Sequence, residues 1–178
     1  IIRKLLLLNE KRKLIENQIY EEALTQAEEQ KNSNFILVYG NNWHNGVIGI
    51  IASKLVSKFN KPSIVISFGN SFGTGSARSI QSIDLSKIIF LAKDKKILVN
   101  GGGHKMAAGI KIKKDSLNTF KSFLEDYFKD FSNNLFMKIN KYDSLLSVDK
   151  INSDLIEEIS KLEPFGAGNN EPQFIIKD

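Results

Sequence analysis

The 178-residue chain has no cysteine, two histidines (His44 and His104), one tryptophan (Trp43) and three arginines (Arg3, Arg12 and Arg78). Without cysteine there is no disulfide framework, no thiolate zinc site and no cysteine nucleophile. Two histidines leave little for a histidine-based metal cluster, and neither an Asp/His metal set nor a Ser–His–Asp set is legible. The longest apolar runs, such as Phe35–Tyr39, reach five residues, far short of the ~20 that a membrane span requires. Arg3 and Lys4 interrupt the apolar start of the given sequence, so a signal segment is not expected there. These absences predict a soluble, cytoplasmic protein that does not engage a membrane.

Apolar residues at 42% and charged residues at 25% are ordinary for a globular chain. The length suits one full domain plus fragments, with roughly 70% of the unfolded surface buried on folding. A net charge of +5 and a pI near 9.3 hint at an anionic partner. The type of base is more telling than the sum. Lysine dominates in a chain also rich in Asn and Ile, as a codon bias would give. An arginine kept against that background is the one to examine for a bidentate role that lysine cannot fill.

Residues 1–31 lack Gly and Pro and place Leu8, Ile15, Ile19, Ala23 and Ala27 close to helical spacing, which predicts a long connector helix. Beyond it, strands are expected at Phe35–Tyr39, Ser63–Phe68, Ser76–Ile80 and Ala107–Ile112. Helices are expected over Gly46–Phe59, Asp84–Ala92 and Asp115–Phe131. Gly69–Gly75 and Gly101–Gly103 read as loops. This alternation predicts a layered α/β domain. Met137–Val148 then reads as strand-like, Ser153–Leu162 as a helix, Glu163–Asn169 as a turn and Phe174–Ile176 as the start of a strand, so a second domain begins and is cut off.

Three glycine-containing segments could carry chemistry. Trp43-His44-Asn45-Gly46 sits where a strand passes into a helix, whose free N–H groups favour anions; equally, Trp43 could cover the helix end and His44 cap it. Gly73-Thr74-Gly75-Ser76-Ala77-Arg78-Ser79 combines close backbone approach, hydroxyls and a planar guanidinium matched to phosphate; the alternative is a turn with a surface arginine. Gly101-Gly102-Gly103-His104 could form a backbone nest for an anion, with His104 donating, or a flexible turn with an incidental histidine. Ala107, Ala108 and Gly109 would allow tight packing behind it. None of the three resembles a Walker or dinucleotide loop, and together they favour a shared phosphate-binding cleft.

Trp43-His44-Asn45-Gly46-Val47-Ile48-Gly49-Ile50, Gly75-Ser76-Ala77-Arg78-Ser79 and Gly102-Gly103-His104-Lys105-Met106-Ala107-Ala108-Gly109 resemble the DHH-associated domain of the RecJ single-stranded-DNA exonucleases. Leu8-Asn9-Glu10-Lys11-Arg12 with Glu16 resembles the start of that family's connector helix. Leu162–Asn169 with Glu171-Pro172 and Phe174 resembles the opening of its OB-type domain. Asn100 stands where the family more usually has an aromatic before its glycines, and Asn170 where it has proline. The resemblance implies a connector helix over 1–31 arriving from a missing DHH catalytic domain, a DHH-associated domain over 32–132, and the start of a truncated OB-type β-barrel domain over 133–178. It implies 5′→3′ hydrolysis of single-stranded DNA in recombination and repair, with Mn or Mg held by the missing domain and none by this stretch, which alone would be inactive. Ser76 and Arg78 would hold a terminal 5′ phosphate. Gly102, Gly103 and His104 would grip the scissile phosphate, with His104 as the catalytic group stabilising developing charge; Trp43 and His44 would support. Two other readings stay open: a DHH-superfamily phosphodiesterase for oligoribonucleotides or cyclic dinucleotides, and a non-catalytic nucleic-acid-binding module as in alanyl-tRNA synthetases.

Overall fold

The structure, a computed structural model, describes residues 2–138, 141–166 and 168–176. It divides into two compact units, Ile1–Met137 and Lys138–Asp178. The first unit opens with α1 (Ile2–Glu28), 27 residues uninterrupted by Gly or Pro. Its buried residues Glu16, Ile19, Ala23 and Ala27 follow helical spacing, whereas Leu5, Leu6, Leu7 and Leu8 are 53–66% exposed. Only the second half of α1 is therefore packed.

Next come β1 (Ile36–Asn41), α2 (Asn45–Phe59) and β2 (Ser63–Phe68). β1 and β2 pair in parallel from Ile36↔Ser63 to Asn41↔Phe68, and α2 supplies the crossover that a parallel pair requires. β3 (Phe72–Arg78) returns antiparallel to β2. After α3 (Leu85–Asp94), capped by Asp84, β4 (Asn100–Gly103) and β5 (Ala107–Lys113) form an antiparallel hairpin, and α4 (Leu117–Phe128) closes the order. The mixed sheet runs β1-β2-β3-β5-β4, so β1 and β4 are its edges.

The expected α/β class is observed, with local differences. Gly73-Thr74-Gly75 lie inside β3, which ends at Arg78, and the loop is only Gly69–Ser71. The cause is packing: a β-carbon at Gly73 would meet Ile66 and Phe68 at 2.6 and 2.7 Å, and one at Gly75 would meet Ile110 at 2.6 Å. These glycines make room for large neighbours on adjoining strands. Gly40 and Asn41 continue β1 past the expected end at Tyr39. Gly101–Gly103 form most of β4, because pairing with Gly109, Ile110 and Ala108 holds them extended.

The strands alternate faces. One face carries Leu37, Ile64, Ile66, Phe68, Ala77, Ala108, Ile110 and Ile112, and all of these are buried in a core built with α3 and α4. Phe128 of α4 anchors an aromatic cluster there, with ring centroids 5.2–5.6 Å from Phe35, Tyr127 and Phe131. The opposite face is covered only in part. Ile36, Val38 and Val65 pack with α1 and α2 into a second, smaller core. Over β3, β5 and β4 that face shows Thr74, Gly109, Lys111, Asn100 and Gly102, all exposed, with Ser76 and Arg78 half-buried at its margin beside α2. Half of one sheet face is thus left without a helical layer among the described residues.

In the second unit, β6 (Ser144–Leu146) and β7 (Phe174–Ile176) pair in parallel, and α5 (Ser153–Ser160) is capped by Asn152. The strand expected over Met137–Val148 shrinks to β6: Asn133–Phe136 and Val148–Lys150 are 3-10 turns, and Ile139 and Asn140 fall outside the described residues. The turn near Glu163–Asn169 is closed by paired hydrogen bonds between Gly166 and Asn169. Ala167 of that motif also falls outside the described residues.

Candidate phosphate-binding surface

Ser76 and Arg78 occupy alternate positions of β3 and so point to the same side, onto the partly uncovered face. The Arg78 guanidinium donates from Nη1 to the Ser76 hydroxyl at 3.2 Å and to the Ala77 carbonyl at 2.9 Å. Nη2 is not among these bonds. The guanidinium lies beside Gly49 of α2, where a β-carbon would come within 3.2 Å of both Arg78 Nη2 and Ser76 Oγ. A glycine inside a helix costs roughly 1 kcal/mol relative to alanine. Gly49 accepts that cost at the place where the helix passes the arginine. Its signal in the sequence is this interior glycine, but only the fold reveals what it faces.

Sheet register extends the site sideways. Ser76 is opposite Gly109, and Gly109 is opposite Gly102, so the three form a row across β3, β5 and β4, about 4.8 Å per step. A β-carbon at Gly102 or Gly109 would meet nothing within 4 Å. These two glycines leave open a floor, a shallow depression of about 430 Å³ rimmed by Thr74, Asn100 and Lys111. Gly109 therefore opens the exposed face and does not pack behind it. Gly103 differs: its β-carbon would strike the Ala107 carbonyl at 2.3 Å, so it is needed for the hairpin itself.

His104 begins the β4–β5 turn and is exposed; its backbone N–H donates to the Ala107 carbonyl at 2.8 Å. The turn is held from two sides. Leu85 N–H donates to Lys105 O and Ser79 N–H to Met106 O, both at 3.0 Å. The start of α3 and the end of β3 thus place His104 at the end of the sheet where Arg78 lies opposite Ala107. A nest is not formed here: it needs left-handed backbone, and Gly101–Gly103 are paired strand with no positive φ.

Trp43 and His44 are set into the framework. Trp43 is buried, its indole N–H donates to Glu22 of α1 at 2.8 Å, and its carbonyl accepts from the Ser67 hydroxyl at 2.6 Å. Gly40 leaves room for its ring. His44 is the N-cap of α2, its Nδ1 accepting from Gly46 N–H at 3.0 Å. Of the seven residues singled out, the fold brings Ser76, Arg78, Gly102, Gly103 and His104 to one region and assigns Trp43 and His44 to holding α1 and α2. Among the described residues no three His, Asp or Glu side chains gather into a metal site, and no helix is long and apolar enough to cross a membrane.

Known proteins resemble this chain in sequence and in fold. Residues 32–130 match the DHHA1 domain family, and residues 142–178 match the RecJ OB domain. The chain is 32% identical over 175 residues to the single-stranded-DNA-specific exonuclease RecJ of Bacillus subtilis (strain 168), covering 96% of this chain and 22% of that protein. It is 29% identical over 169 residues to the same-named protein of Thermus thermophilus, covering 95% and 24%. Crystal structures of Thermus thermophilus RecJ in complex with Mg2+ and with Mn2+ superpose with TM-scores of 0.85 and 0.86 at 28% identity. They cover 97% and 98% of this chain and 26% of theirs. The layered unit is thus a DHHA1 domain. The chain belongs to the RecJ family. It spans about a quarter of the length of these relatives.

Proposed function

We propose that this chain is the substrate-holding part of a longer 5′→3′ single-stranded-DNA exonuclease acting in recombination and repair. The observation that carries the reading is the row Ser76–Gly109–Gly102, with Arg78 beside it. A hydroxyl and a guanidinium stand at one end of an open glycine floor, and the Gly103–His104 turn stands at the other. On this reading Ser76 and Arg78 bind the 5′-terminal phosphate. The backbone at Gly102 and Gly103 and the exposed imidazole of His104 bind the scissile phosphate, His104 donating to the oxygen on which charge develops. Gly49 keeps α2 clear of Arg78.

This chain's part is binding and orientation. The Mn or Mg on which hydrolysis depends would be held by a DHH domain elsewhere in the longer protein, and this stretch alone binds DNA without cleaving it. The exposed leucines Leu5–Leu8 of α1 support its role as a connector to that domain. The OB match over 142–178 favours this reading over DHH-superfamily phosphodiesterases and over a plain binding module.

The test is Arg78→Ala in the full-length enzyme. Affinity for 5′-phosphorylated single-stranded DNA should fall about 10- to 100-fold, the range of a lost charge-assisted pair, while 5′-hydroxyl DNA is little affected. Equal losses on both substrates would remove Arg78 from recognition of the terminal phosphate.

A further inference from the structure

α3 carries two stripes. Leu85, Ile88, Ile89 and Ala92 face the core and are buried. Lys87, Phe90, Leu91 and Asp94, at the next helical spacing, face outward along the unpaired edge of β4. Between that stripe and Gly101–Gly103 lies a groove of about 900 Å³. Phe90 is 69% exposed and Leu91 39%. The Phe90 ring lies outside both buried clusters of the unit. It is bordered by Lys87, Lys93 and Lys96, against the single carboxylate of Asp94. The groove shares Gly102 and Gly103 with the site above, and so continues it past the sheet edge.

We infer that this groove receives the nucleotides on the 3′ side of the cleaved bond, a base stacking on Phe90 and the following phosphates meeting the lysines. The inference rests on the reading proposed above, which supplies a direction. With the terminal phosphate on β3 and the scissile phosphate on β4, the strand crosses β5 and heads outward. What lies beyond β4 is its open edge and then α3. Glycines along that edge carry no side chains to block the passage. The combination is that of a sequence-tolerant single-strand site: an exposed aromatic as stacking platform and cations tracking the backbone. Nothing on Phe90 or Leu91 can read a base edge, so recognition there is by stacking and charge.

The experiment uses the full-length enzyme with divalent ions chelated, so that binding is read without cleavage. The probe is a short 5′-phosphorylated oligothymidylate carrying 2-aminopurine at successive positions from the 5′ end. One position 3′ of the first phosphodiester should show fluorescence quenching on binding. Phe90→Ala should abolish that quenching and weaken affinity roughly 5- to 100-fold, the range for one lost stacked base; Phe90→Trp should keep both. Lys93→Gln with Lys96→Gln should flatten the slope of log affinity against log salt by about 1.4, or about 0.7 per lost phosphate contact on single strands. Unchanged quenching and affinity in Phe90→Ala would overturn the inference. So would a Phe90→Ala protein with a lower thermal midpoint and intact DNA binding, which would mark the groove as a packing surface. The 5′-phosphate discrimination lost in Arg78→Ala is separate: if Arg78 discriminates and Phe90 does not matter, the groove fails and the phosphate site stands.

Discussion

The two edges of the five-stranded sheet are treated in opposite ways. At β1 the free backbone groups are taken up by two side chains of α1. The Gln26 amide pairs with both N–H and C=O of Tyr39, at 3.0 and 2.8 Å, and the Gln30 amide pairs with both of Leu37, at 3.0 and 2.9 Å. Residues one helical turn apart match alternate strand residues because 5.4 Å along a helix is close to ~6.6 Å along a strand. At β4 the edge is three glycines facing a groove. An unpaired edge is a liability that folds ordinarily cover. Here, among the described residues of this unit, one edge is sealed and the other is left bare beside the candidate phosphate site. The same contrast holds for the faces, since α1 and α2 cover β1 and β2 and stop at Ser76 and Arg78. Structure is concentrated on one side of the unit, and access on the other.

The contrast can be broken from the sealed side first. Replacing Gln26 and Gln30 together by Ala removes four hydrogen bonds to the β1 edge and should cost about 2 kcal/mol, with faster aggregation as the edge opens. Denaturation followed by the fluorescence of Trp43, the chain's one tryptophan, would measure this in the unit where it matters. A loss below about 0.5 kcal/mol would show that water replaces the amides without penalty.

A smaller effect is expected from acid. Glu16 of α1 bridges Arg12 at 2.5 Å and Lys54 of α2 at 2.7 Å. The Lys54 hydrogen bond, aided by the charges of Lys54 and Arg12 and opposed by desolvation, holds its carboxyl below the usual value. The unfolded chain therefore takes up the proton first, so this stability is present above about pH 4.3 and is lost as pH falls through the folded value. Both cationic partners are 40% exposed, which limits the term to about 1 kcal/mol. Glu16→Gln should be less stable at neutral pH by about that amount, and the gap to the native chain should close on acidification. A gap constant with pH would refute the ionic account.

The smallest change in stability, under about 0.5 kcal/mol, is expected on the open side. Gly109→Ala places a methyl group where nothing lies within 4 Å. The fold should tolerate it, yet single-stranded DNA should bind more weakly because the floor between Ser76 and Gly102 is filled. A clear loss of stability with unchanged binding would make the open half incidental.

Much of this was legible in the sequence. Period and breakers located α1, β1, α2, β2, α3, β5 and α4 to within a few residues, and scarcity pointed to Arg78 and His104. The glycines were harder to read. Gly73, Gly75 and Gly101 are strand residues that yield volume to Ile66, Phe68, Ile110 and Ile89. Gly102 and Gly109 yield it to solvent, and Gly49 to an arginine. In the sequence Gly73, Gly75, Gly101 and Gly102 look like loop formers, and Gly49 and Gly109 like plain helix and strand positions, because the neighbour that explains each is on another strand or helix. Gln26 and Gln30 were missed for the same reason, being ordinary helix-surface residues until β1 lies beside them.

What the sequence determined by itself was therefore local: where the chain can be helix or strand, which chemistries its composition lacks, and which few side chains suit a phosphate. Those follow from propensity, periodicity and functional-group chemistry within a few residues. The tertiary structure decided what is covered and what is left open. Ser76, Gly109 and Gly102 become one row only through the register of three strands. α1 seals one edge only because its glutamines meet that strand, and Phe90 becomes a free surface only because β4 ends the sheet. Burial and access belong to pairs of elements distant in sequence, and folding alone brings them together.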